Sequence, residues 1–255
     1  MRLFGQLRPV IGVVHLLPLP GSPRARDLEE VRRRALADAK ALRGVHAMIV
    51  ENYGDAPFFP DRVEPHVVAC MTAIACALPR PLGVNVLRND ARAALAVALA
   101  AGADFIRVNV HTGVMHTDQG TIEGRAFETL RMRAALGAKA LVFADVLVKH
   151  ASGGGDPASA ARDAAYRGLA DALLVTGART GAPPDPERLR LVKRAVPDRP
   201  VLAASGLAPE NLPLFAEADG FIVGTALKKG GRTGNPVDPR RVREFLRAWK
   251  GLEKR

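Results

Sequence analysis

The chain has 255 residues, 48% of them hydrophobic, a length and balance that suit one large buried core. Its net charge of +11 would attract a phosphorylated metabolite or an anionic membrane surface, but at 5% aromatic residues and with no Lys/Arg block, nucleic acid is not an expected partner. No apolar run nears the roughly 18 residues of a membrane span, and Met1-Arg2-Leu3-Phe4 does not open a signal peptide. Cys70 and Cys76 point in different directions on a predicted helix. A reduced, cytoplasmic setting is therefore expected, with peripheral attachment to a membrane as a further option.

In chain order, strands are predicted at 9–17, 47–52, 81–87, 105–111, 140–149, 172–176, 200–205 and 220–226, each rich in Val, Ile, Leu or Ala. Helices are predicted between and after them at 27–43, 64–78, 90–101, 125–136, 157–168, 185–195, 209–216 and 238–249. Several open on Asp, or on Pro near the first turn, as helix N-termini favour. Gly44, Gly102, Gly137 and Gly168 each close a helix and are expected in the left-handed C-terminal conformation. Eight such units predict an α/β fold, a (β/α)8 TIM barrel forming one domain over 1–255. The rival doubly wound sheet needs a Gly-rich dinucleotide turn after an early strand, and this sequence has none.

The two-residue period of a strand then sorts lumen from shell. On the fourth strand Ile106, Val108 and Val110 should face the helices, turning Arg107, Asn109 and His111 inward. On the fifth, Val142, Ala144, Val146 and Val148 face out, and Asp145, Leu147 and Lys149 face in. Asn85 faces in on the third strand, while His15 and Glu51 end the first and second. Glu51 and Asp145 are candidate general bases with Asn109 beside them, and Lys149 is a candidate Schiff-base amine or electrostatic stabiliser. The bland alternative is an internal ion-pair network in which Glu51 or Asp145 neutralises Arg107.

The loops after the strands are long and polar, which places ligand binding on that face. After strand four, the stretch 111–124 reads as a lid or substrate-recognition loop, with Thr117, Asp118 and Gln119 at its tip. Arg179, after strand six, would clamp a carboxylate or phosphate. A phosphate is expected between strands seven and eight, at Ser205, Gly206, Gly224 and Thr225 with Lys228 or Lys229 supplying charge. The competing reading is that these glycines only permit tight turns. His111 and His116 lack the helical spacing of a metal pair, so no metal site is assigned, and no cofactor is identified.

Five segments together resemble a known family. They are His15-Leu16-Leu17-Pro18-Leu19-Pro20-Gly21-Ser22-Pro23, Glu51-Asn52-Tyr53-Gly54-Asp55-Ala56-Pro57-Phe58, Gly83-Val84-Asn85-Val86-Leu87-Arg88-Asn89-Asp90, Arg107-Val108-Asn109-Val110 with the lid's Thr117-Asp118-Gln119-Gly120, and Asp145-Val146-Leu147-Val148-Lys149-His150-Ala151. In this order, over about 9–247, they are similar to the BtpA family of photosystem I biogenesis proteins, which also includes a sugar-operon member, SgcQ. The resemblance implies a TIM-type barrel akin to phosphate-binding barrel enzymes, and it carries no catalytic residues across. The expected function is thus an enzyme on a small phosphorylated metabolite, sugar- or nucleotide-like. The alternative is a non-catalytic, membrane-peripheral assembly factor, and a homo-oligomer is compatible with either.

Overall fold

The computed structural model describes residues 2–147, 151–152, 155–177 and 181–253. Eight parallel strands close into a barrel: β1 (Val10–His15), β2 (Ala47–Glu51), β3 (Leu82–Asn85), β4 (Phe105–Val108), β5 (Leu141–Val146), β6 (Ala172–Thr176), β7 (Val201–Ala204) and β8 (Gly220–Val223). Around them lie α1 (Leu28–Ala41), α2 (Pro65–Ala75), α3 (Ala91–Ala101), α4 (Ala126–Ala135), α5 (Pro157–Arg162), α6 (Pro186–Ala195) and α7 (Pro239–Glu253). The α/β barrel expected from the alternating pattern is the fold. No helix among the described residues is long and apolar enough to cross a membrane.

Asp caps start the helices where expected. Asp27, Asp90, Asp156 and Asp185 each accept a first-turn N–H through the side chain, and Pro157 and Pro186 follow two of them. Two predicted features are corrected. Strand seven is followed only by a 3-10 turn, Leu212–Phe215, because Pro213 cannot donate within so short a segment. Gly168 is right-handed, and Leu169 takes the positive φ of 51° instead. Gly168 is required for space: a Cβ there would lie 2.8 Å from Thr112 Cγ2 and 3.0 Å from His111 Cδ2. The helix before it relaxes into a π turn, Asp163–Arg167.

Alternation divides the core in two. Ile106, Val108, Val142, Ala144 and Val146 pack outward against the helices. Ile11, Val13, Ile49, Phe105, Phe143, Leu174, Leu202 and Ile222 fill the lower barrel. A hairpin pairing Arg2–Leu3 with Gln6–Leu7 plugs the bottom, where Phe4 lies 5.4 Å from Phe105, which in turn stacks on Phe143 at 4.5 Å. Above this apolar floor the inward residues turn polar.

Candidate active site at the barrel mouth

The polar layer follows from register. His15 pairs with Glu51, Glu51 with Asn85 and Asn85 with Arg107 across β1, β2, β3 and β4, which brings four polar side chains to one level of the lumen. Asn85 Nδ2 donates to Glu51 Oε2 at 2.7 Å, and His15 Nε2 lies 3.9 Å from Glu51 Oε1. Arg107 grips Asp145 with two parallel bonds of 2.9 and 2.8 Å, and Asn109 Nδ2 adds a third at 3.2 Å. Burial alone would lower the Arg107 pKa, but Asp145 and Glu51 outweigh it and hold the guanidinium above its ordinary value. The ion-pair alternative therefore describes Arg107 and Asp145. Asp145, expected as a general base, has both oxygens committed, whereas Glu51 is held by a neutral amide.

A cavity of about 520 Å³ opens over this layer, lined by His15, Glu51, Arg107 and Asn109 from below and by Asp118 and Gln119 from above. The lid is a hairpin of Val114–Thr117 and Gly120–Glu123, continued by Ala151–Ser152 against its outer edge. Met115 and Ile122 seat it on Val110 and Leu147. Leu147, expected inside the lumen, packs under this hairpin with a φ of 53°. A narrower extension reaches Ser205, Gly206, Gly224 and Thr225 and shares His15, Glu51 and Arg107 with the main cavity. The expected anion-binding turns and the polar layer thus line one cleft. Each glycine also has a steric reason. A Cβ on Gly224 would meet His15 Cε1 at 2.6 Å, and one on Gly206 would meet the Ala182 carbonyl carbon at 2.2 Å.

Three expected site residues are placed elsewhere. Lys228 is 0% exposed, with its Nζ 2.9 Å from Asp38 Oδ2, so its charge is answered inside the protein and faces no anion. Asp38 lies far away in sequence, on α1, so the pairing has no local signal. His111 leaves the lumen because β4 ends at Val108 and the strand period stops with it. Its Nε2 sits 2.8 Å from the Gly168 carbonyl, and burial, opposed by that bond, lowers its pKa. Thr117 donates to the Gly120 carbonyl at 3.0 Å and closes the lid turn, away from the cavity lining. Lys149 and Arg179 lie outside the described residues.

Sequence reasoning gave no role to Arg88, Arg24, Tyr53 or Phe58, all of which line the main cavity. Arg88 is buried, and that desolvation lowers its pKa against the pull of Asp145, with Arg107 adding repulsion. An arginine straight after an apolar strand was its only signal. Asn52 ties the loops together: it accepts from Leu87 N at 2.7 Å and donates to Asp55 Oδ2 at 3.1 Å, while Asp55 Oδ1 accepts from Leu19 N at 2.8 Å. Burial raises the Asp55 pKa against these bonds. Among the described residues no cluster of three or more His, Cys, Asp or Glu is arranged to hold a metal.

A BtpA-family profile matches residues 6–251. The chain is 49% identical to the photosystem I biogenesis protein BtpA of Synechocystis sp., over 94% of this chain and 87% of that one. It is 47% identical to an uncharacterized protein of Pyrococcus abyssi, over 96% and 97%. Among solved structures, N-(5'-phosphoribosyl)anthranilate isomerase from Pyrococcus furiosus superposes with a TM-score of 0.60 at 17% identity, covering 96% of this chain and 99% of that one. KGPDC from Streptococcus mutans gives 0.60 at 14%, covering 97% and 100%. Identities this low establish a common fold only.

Proposed function

The chain belongs to the BtpA family, and on the geometry of its cleft we propose that it is an enzyme acting on a small phosphorylated metabolite, sugar- or nucleotide-like. The observation that carries this reading is the shared lining: His15, Glu51 and Arg107 bound the same space as Ser205, Gly206, Gly224 and Thr225. A phosphate on the ends of β7 and β8 would meet backbone N–H groups and two hydroxyls, and would hang the rest of the molecule over Glu51. In this reading Glu51 is the general base and His15 its neighbouring proton carrier. Asp145 and Asn109 are positioning residues that fix the Arg107 guanidinium toward developing negative charge. The similar fold of an isomerase named for a phosphoribosyl compound supports a phosphorylated substrate.

The test is a thermal-shift screen of phosphorylated and unphosphorylated metabolites. A true ligand at 100 times its Kd adds about 2.7 kcal/mol of stability, which at this chain length raises Tm by roughly 5–10 °C. Conversion of that ligand should stop in Glu51→Gln while its binding persists. Stabilisation by unphosphorylated compounds alone would overturn the reading.

A second reading, a non-catalytic assembly factor at an anionic membrane surface, has the 49% identity to a photosystem I biogenesis protein and the +11 charge in its favour. Near-equal identity to the Pyrococcus abyssi protein keeps the likeness from singling out photosystem assembly. Full complementation of a deletion strain by Glu51→Gln would decide for the assembly factor.

A further inference from the structure

Two buried amides in the polar layer have their nitrogens engaged and their oxygens idle. Asn85 and Asn109 are 1% and 2% exposed. Each gives its Nδ2 hydrogens to a carboxylate, Glu51 and Asp145 respectively. That fixes which way the amides point, since a flipped amide would set oxygen against carboxylate oxygen. Their Oδ1 atoms are left buried, with no donor from the described residues in reach. Asn109 lines the main cavity, whereas Asn85, between Glu51 and Arg107 in the sheet, lies behind its lining. Gln119 on the lid repeats the pattern: its Nε2 donates to Asp118, and its Oε1 has no protein donor.

A buried acceptor without a donor costs stability, and a ligand that supplies the donor recovers it. Acceptors on the floor and on the lid call for a molecule with donors on both sides. A chain of carbonyls or carboxylates would set oxygen against oxygen there and be rejected. We propose that Asn109 reads a hydroxyl group, so that the ligand is a polyhydroxylated, sugar-like phosphate ester whose O–H groups donate to Asn109 Oδ1 on the floor and Gln119 Oε1 on the lid. The proposal rests on the phosphate reading above for its anionic end alone, because Asn109 directly follows β4, away from β7 and β8.

The experiment is calorimetric titration of the full chain with ribose 5-phosphate, n-pentyl phosphate, inorganic phosphate and free ribose. Ribose 5-phosphate should bind at least tenfold more tightly than n-pentyl phosphate. Asn109→Leu should erase most of that difference, with circular dichroism of the variant showing that it is folded. Equal binding of the two esters overturns the hydroxyl reading and leaves the phosphate reading standing. Binding of ribose regardless of its phosphate upholds the hydroxyl reading and removes the other. Failure of every hydroxylated probe, with or without phosphate, overturns the proposal.

Discussion

Replacing Lys228 by Met should unfold the protein more readily while leaving anion binding intact. The ammonium is completely buried, and its partner Asp38 is 1% exposed. Breaking a buried pair costs about 3–5 kcal/mol where the carboxylate is left without any countercharge, and here Arg34 remains paired with Asp38. Asp38 retains two donors, the Val237 N–H at 2.8 Å and the Arg34 Nε at 3.2 Å. The loss therefore belongs at the lower end, about 3 kcal/mol, or a Tm fall of roughly 6–12 °C for a chain of this length. Chemical denaturation followed by circular dichroism measures it, and the Asp38→Asn, Lys228→Met double variant should recover part of it. Phosphate titration of the single variant below its lowered Tm should match wild type. Loss of phosphate affinity with an unchanged Tm would refute the reasoning and return Lys228 to the anion site.

Gly224→Ala should push the His15 ring aside, since the new Cβ would lie 2.6 Å from its Cε1. Phosphate should bind about tenfold more weakly for a stability loss of about 1 kcal/mol, and wild-type affinity by calorimetry would show that the ring does not bound the site. His111 governs a pH limb. Its folded pKa lies below the ordinary 6.5, so the unfolded chain takes up the proton first. That contribution is complete above about pH 6.5 and is lost as the pH falls through it toward the folded pKa. Arg133 and Asp171, which also act on the ring, pair with each other at 2.6 Å and oppose one another there. Urea midpoints of wild type and His111→Gln should diverge between pH 7.5 and 5.5, and parallel curves would contradict this account.

The sequence was most legible where strand periodicity holds. Asn85 and Arg107 lie inside β3 and β4, where alternation alone placed them in the lumen, and Glu51 was placed by its position at the end of β2. Three residues past the end of β4 the same counting misplaced His111, because a chain leaving the sheet no longer alternates. Arg88 escaped for the same reason from the other side, since it joins the cavity from beyond the end of β3. Gly168 was recognised as necessary but for the wrong cause: its need arises from Thr112 and His111, on a different unit of the barrel. Lys228 marks the larger limit. A lysine after a Gly-Thr turn at the eighth strand has the same local appearance whether it faces a phosphate or a carboxylate on α1.

The charge count in the lumen explains why recognition there must be directional. Among the described residues, four ionisable side chains of the polar layer are at most 6% exposed: Arg88 and Arg107, and Glu51 and Asp145. They balance in number, above a floor of phenylalanine and aliphatic side chains that offers no solvation. An unmatched cation held there for a future anion would carry a desolvation penalty of several kcal/mol in the empty protein. Lys228 avoids that penalty by pairing with Asp38. In the proposed function an incoming phosphate would be met by dipoles, the backbone N–H groups at Ser205–Gly206 and Gly224–Thr225, which need no countercharge beforehand, with the paired Arg107 guanidinium lining the same cleft. Dipoles act only along their own directions. In the proposed function selectivity would accordingly be set by where hydrogen-bond donors and acceptors lie on the ligand, with the +11 charge bringing anions to the mouth.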